Sequence, residues 1–281
     1  VKADVSGGPE FYKVKEYYRI RYTPSRIYLL NYERHMEALF DIRLANISKS
    51  QLKLGITSNI DVPYVVSDDK KKFAFVRNRE LWFYNLEDNQ LVRVFSFRQE
   101  NTDYIRDIYD QHDIRILKID PEGNIDFMVY GYMNRGQYEG RVAIVLYEYI
   151  RAEQRIEEKV YIPVDEPYQK LKENLGEFAY VNSLDVFYFH IYDSIYAYDL
   201  ITRQLTVLAD NVDKDDVLTF YDEGYVAWQE ATDPGNTSDI KIMDIETGDI
   251  QTIGSRQGYK VVLLDKIDSN LIYGFAAEDD I

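Results

Sequence analysis

The side chains able to carry chemistry are few in kind. The chain of 281 residues has three histidines, no cysteine, and 49 aspartates and glutamates. Without cysteine there are no disulfides, thiolate zinc sites or cysteine nucleophiles. No G-x-S-x-G elbow is present, and "GSRQG" at 254–258 has the wrong register for one. The H-E-x-x-H, P-loop and G-x-G-x-x-G patterns are absent as well. His35, His112 and His190 are isolated in sequence. His35 falls in an expected turn and His190 inside an expected strand. His112 borders a long polar loop, which makes it the histidine worth testing. A Ser–His–Asp set assembled across elements stays open, because triads are geometric. Carboxylate pairs for glycoside hydrolysis are unreadable in so acidic a chain. "DKDD" at 213–216 and "EDD" at 278–280 offer oxygen ligands that would suit calcium, though without an EF-hand loop. The expectation is no cofactor and no metal site, with calcium the weak alternative.

Charge narrows the partners. The formal charge is −16, from 33 basic and 49 acidic residues. Nucleic-acid binding needs clustered lysine and arginine, so no nucleic-acid partner is expected. An anionic membrane surface is disfavoured on the same grounds. No apolar run has the length of a membrane-spanning helix, so no direct membrane insertion is expected in this segment. The lysines at 70–72 read as a solvated turn that protects a strand edge. Residues 1–10, "VKADVSGGPE", are small and polar and read as a linker or leader.

These residues must be positioned by strands. The chain has 26 tyrosines, which suit half-buried sheet surfaces. The stretch 72–97 reads strand, strand, turn, strand: "KFAFV", "ELWFYNL", "EDNQ", "LVRVFSF". The same order returns at 184–210, at 224–253 and, lengthened, at 124–162, with a first copy placed at 11–44. Each copy follows another short apolar run, which makes four strands per unit. Turns before the last strands fall near Arg34, Asn89, Glu153, Arg203 and Gly248, a spacing of about fifty residues that suits propeller blades. The units expected are about 11–48, 60–98, 113–164, 177–210 and 216–254, with a partial one at 259–281. Helical signals are short, at 99–113 and 166–177. The fold class expected is all-β, a β-propeller of four-stranded blades, about five to six of them, occupying 11–281. The chain could also be a fragment of a longer propeller. A pair of β-sandwich domains is the structural alternative.

"SDDKKKFAFVRNRELWFYNLEDNQ" resembles the blade repeat of TolB-like and prolyl-oligopeptidase-type propellers. That repeat runs roughly S-P-D-G-K-x-I-A-F, a gap, then L-W-x-x-D-L-x-x-G. Ser67, Asp69, Lys71, Ala74, Phe75, Leu81, Trp82, Leu86 and the Asn89 turn match it. Asp68, Lys70 and Asn85 depart from it. "YAYDL" at 196–200 and "IMDIETG" at 242–248 fit the same slot. The resemblance implies fold and leaves function open. A prolyl-oligopeptidase-type activity would require a separate hydrolase domain.

In such a topology the links between blades share a face with the turns between second and third strands. The longest loops, 98–113, 134–140, 164–176 and 231–238, all belong to that face, where binding residues concentrate on a rigid scaffold. The candidate ligand-binding residues there are Tyr104, Arg106, Tyr109, His112, Arg135, Tyr138, Tyr168, Asp233 and Asn236; no residue is assigned as catalytic. The function expected is a non-catalytic binding or scaffold propeller that recognises a protein, peptide or glycan. The blade type and polar opening stretch suggest an extracytoplasmic, envelope-associated bacterial protein, with a cytoplasmic one as alternative. The alternative function is a glycan-active hydrolase or lyase with its site at the central channel.

Overall fold

The computed structural model describes residues 2–5, 8–41, 47–48, 51–52, 54, 61–99, 106, 109–231, 238–256 and 259–277. Strands β1 (Lys2–Val5), β2 (Gly8–Thr23) and β3 (Arg26–Ala38) form a three-stranded antiparallel sheet in that order. β1 and the start of β2 thus lie in 1–10, the stretch expected as a linker. Residues 11–48 hold this long ribbon in place of a four-stranded unit. The turn expected near Arg34 is at Pro24–Ser25 instead, and both Arg34 and His35 sit inside β3. The physical reason is that strand-favouring aromatic and β-branched residues recur up to Thr23 and again from Arg26. Only Pro24–Ser25 supplies turn chemistry. β4 (Ile47–Ser48) and β5 (Gln51–Leu52) pair with each other.

Four four-stranded antiparallel meanders follow. The first has β6 (Tyr64–Val66), β7 (Lys72–Arg77), β8 (Glu80–Asn85) and β9 (Gln90–Phe95). The second has β10 (His112–Ile119), β11 (Ile125–Tyr132), β12 (Val142–Ile150) and β13 (Arg155–Val164). A short helix α1 (Tyr168–Asn174) leads to β14 (Leu175–Val181), β15 (Val186–Ile191), β16 (Ser194–Asp199) and β17 (Gln204–Asp210). The fourth comprises β18 (Val217–Phe220), β19 (Tyr225–Ala231), β20 (Ser238–Asp244) and β21 (Ile250–Ile253). In all four the spatial order is the chain order. A two-stranded sheet, β22 (Tyr259–Ile267) with β23 (Asn270–Ala277), packs on the fourth. There the Leu263 amide donates to Gln229 Oε1 at 2.8 Å. The chain is an all-β fold of propeller blades.

The third turn of every blade has a residue with positive φ: Asn89 (48°), Gln154 (51°), Arg203 (59°) and Gly248 (77°). These tight links hold neighbouring strands in register. Blades then pack face to face, and a strand alternates its side chains between two interfaces. In β11, Phe127 and Val129 face the first blade, among Leu81 and Phe83. Met128 and Tyr130 face the third, with Leu175 and Phe187. The next interface packs Phe178 and Tyr188 with Val226, Trp228 and Met243. All six residues of β8 are buried. Strands covered on both sides have no water-facing row, which is why their sequences are apolar almost throughout. Each large side chain so buried stabilises the stack by roughly 1.5–3 kcal/mol.

The first strands β6, β10, β14 and β18 neighbour one another in turn, so they are the inner strands of the arc. The ribbon's base is tied to the first blade. Buried Arg77 donates to Glu37 Oε2 at 3.2 Å and to the Ala38 carbonyl at 3.1 Å. Phe40 meets Trp82 edge to face at 4.9 Å.

Candidate binding cleft

Three chain segments build a polar knot at the inner end of the second blade. The β7–β8 turn presents Asn78 and Arg79, both with positive φ (53° and 63°), as a two-residue hairpin turn of this hand requires. The start of β10 presents His112 and Asp113. Helix α1 presents Tyr168 and Lys172. Asp113 receives the Tyr168 hydroxyl at 2.5 Å and Lys172 Nζ at 2.8 Å, and it pairs with Arg79. Arg79 Nη1 also donates to the His112 carbonyl at 2.7 Å. The His112 ring lies 3.2 Å, from Nε2, to the Arg79 carbonyl. Each residue thus contacts the other's main chain, which clamps the first blade to the second. Alongside, Lys13 of the ribbon donates to Asp110 Oδ2 at 2.6 Å.

Close approach makes the knot possible. Gly131 has φ +119°, and a Cβ there would lie 2.5 Å from the Gln111 carbonyl oxygen and 2.6 Å from the Tyr168 ring. Only glycine lets β11 pass this near to both.

Burial sets the protonation states. It holds His112 down to about 4, so the imidazole is neutral at physiological pH. Neutral His112 donates from Nε2 to the Arg79 carbonyl, and its Nδ1 is then an acceptor. For Asp110, burial pushes the carboxyl up, but the hydrogen bond and charge of Lys13 outweigh it and the value falls below the usual range. Burial, followed by the charge of Arg79, lowers Lys172.

Around the knot opens a cleft of about 410 Å³, bordered by Asp61, Pro63, Asn78, Arg79, Asp110 and Tyr130. Through Pro63, Ile114 and Tyr130 it adjoins a groove of about 800 Å³ along the inner strands. Tyr64, Tyr180 and Tyr221 also line that groove. Arg115 spans it, donating to the Gly176 carbonyl at 2.7 Å. The whole can offer aromatic faces, amide and guanidinium donors, and carboxylates held by cations.

The expected site residues take different places. Tyr104, Asp233 and Asn236 lie outside the described residues. Arg106, Tyr109, His112 and Arg135 come together: Asn134 Nδ2 donates to the Arg106 carbonyl at 2.6 Å, and Arg106 pairs with Glu139 at 2.8 Å. Tyr109 meets Tyr132 edge to face, and Arg135 Nε donates to the Phe97 carbonyl at 2.8 Å. His112 is buried against Phe97. Tyr168 is buried too, so its hydroxyl positions Asp113. Tyr138 stands apart, stacked on Tyr161 of the last strand at 3.7 Å. Burial and its bond to Glu158 push its phenol up to about 12.

Sequence reasoning missed Arg79, Asp113 and Lys172. The turn "RNRE" between two apolar runs was the available signal for Arg79. The lysine triplet also differs from expectation. Lys72 is buried, and its Nζ bonds Asp69 Oδ2 at 3.1 Å and the Pro121 carbonyl of the next blade at 2.7 Å. In "DKDD", Asp213 caps its own turn by accepting from the Asp215 amide at 2.9 Å. Among the described residues no three acidic or histidine side chains converge as metal ligands. No helix among them is long and apolar enough to cross a membrane.

No family model and no curated protein matches the chain. Solved structures do. A puromycin-hydrolysing peptidase of Mycobacterium tuberculosis is 11% identical with a TM-score of 0.42, covering 98% of this chain and 42% of that one. The WD40 domain of SCAP from fission yeast is 9% identical with a TM-score of 0.41, covering 90% and 62%. The extracellular domain of a putative one-component system from B. thetaiotaomicron is 13% identical at 0.34, covering 85% and 28%. The chain therefore spans less than two thirds of the length of each. These likenesses are of architecture alone. The blade assignment rests on the sheet order.

Proposed function

We propose that the chain is a non-catalytic recognition scaffold that binds a protein, peptide or glycan at its long-loop face. One observation carries the reading. The cleft on that face runs into a tyrosine-lined groove, while Asp110 and Asp113 at its border are already ion-paired. Carboxylates held this way fix geometry and are poor proton donors. Tyrosine rings with a few fixed donors suit stacking and hydrogen bonding to sugars or extended peptides. An extracytoplasmic, envelope-associated location fits the blade type.

The test is to probe glycan and peptide arrays with the intact chain, then repeat with Arg79→Ala and Tyr64→Ala. Binding weakened at least tenfold by either substitution supports the reading. Cleavage of an array glycan that Asp113→Asn abolishes would replace it with a glycan-active enzyme.

A further inference from the structure

The N-terminal ribbon exposes an apolar face that the rest of the described chain leaves uncovered. Its register puts Tyr18 opposite Tyr32, Ile20 opposite Leu29, and Tyr22 opposite Ile27. Alternation along β2 sets these pairs on one side, where Glu16 accepts from the Tyr18 and Tyr32 hydroxyls at 3.0 and 2.9 Å; the opposite side carries Lys15, Arg19 and Arg21 beside Tyr17 and Tyr28. The bulge between Arg19 and Ile20 leaves this sidedness intact. All six of the paired residues are exposed, from 43% at Tyr32 to 74% at Tyr22. A sheet with one apolar face normally covers it.

We infer that a second copy of this chain covers it, the two ribbons packing face to face about a twofold axis. Two observations select that occupant. The first is area: the six side chains expose about 700 Å², close to one partner's share of a standard interface. A twofold contact uses the same patch on both molecules, and a stripe of tyrosine and aliphatic residues is self-complementary. The second is charge. Residues 8–38 hold six lysines and arginines against four glutamates, a formal +2, so the other residues carry −18 of the chain's −16 total. Two such bodies repel one another. The ribbon is tied to the blades at its base, through Lys13 and Glu37. It carries the contact away from the acidic blades and is the stretch where like-charge repulsion is least.

Sedimentation velocity on the intact chain tests it. The wild type is expected to sediment as a dimer at micromolar concentration. The double variant Ile20→Asp, Leu29→Asp should raise the dissociation constant at least a hundredfold, with a thermal midpoint equal to the wild type's only in dilution where both are monomers. Arg21→Ser, on the other side of the ribbon, should leave the dimer intact. The proposal is overturned if the wild type stays monomeric, or if the double variant dimerises as the wild type does. It is equally overturned if the monomer floats with phosphatidylglycerol vesicles and the double variant does not, which would assign the face to a membrane.

Discussion

The phenol of Tyr168 donates to the carboxylate of Asp113 at 2.5 Å, tying the link into the third blade to the first strand of the second. Arg79 of the first blade meets the same carboxylate. One side chain thereby joins three consecutive blades. Tyr168→Phe removes one charge-assisted bond and should cost about 1.5–3 kcal/mol. Asp113→Ala removes the shared acceptor of Tyr168, Arg79 and Lys172 at once and should cost more than Tyr168→Phe. Urea unfolding midpoints of the two variants check the order.

A half-buried carboxyl and a buried imidazole give opposite pH dependences. Burial, and then the charge of Glu148, raise Asp126 from 3.8 to about 6. Between those values the folded chain holds a proton the unfolded chain has lost, so this stability falls as pH rises from about 4 to 6. Asp126→Asn should therefore stabilise the protein at pH 7–8, by about 1–3 kcal/mol. His112 runs the other way. Its native value of about 4 lies below the usual 6.5, so stability is full above 6.5 and is lost as pH falls toward 4. His112→Gln should flatten that acid limb. Thermal midpoints from pH 4 to 8 for wild type and both variants separate the contributions.

Gly131→Ala places a methyl against the Gln111 carbonyl in a backbone region that side chains avoid. The expected cost is about 1–3 kcal/mol from strain. It should also displace Tyr168 and weaken whatever ligand the arrays identify. A melt paired with the array experiment reads both effects.

Phe127 is fully buried between the first and second blades. Phe127→Ala should destabilise by about 3–5 kcal/mol. Tyr22→Ala, on the exposed ribbon, should leave the thermal midpoint of the monomer unchanged. Parallel melts in dilute solution compare the two.

The blades were legible in the sequence because their strands are covered on both sides. "FMVYGYM" and "VFYFHIY" have no solvent row to dilute the apolar signal. Turn positions at Asn89, Arg203 and Gly248 were legible for a local reason, since tight turns select few residue types. The ribbon was misread because a run of strand-favouring residues marks any strand, paired in a blade or standing alone. The polar knot was hidden for a different reason. Arg79, Asp113 and Lys172 are ordinary polar residues far apart in sequence, and only blade stacking brings them together. His112 stood out by its residue type, yet its ring serves the join between blades.

The two-sided strand β11 also sets where this chain can change. Moving its register by one residue would exchange Phe127 and Val129 with Met128 and Tyr130, spoiling two interfaces in one step. A single-residue insertion there should be eliminated by selection. The turn after it is different: a side chain added at Gly136 or Gly140 would meet nothing within 4 Å. New loop lengths, and with them new recognition specificities, can accumulate at that turn while the neighbouring strand stays fixed.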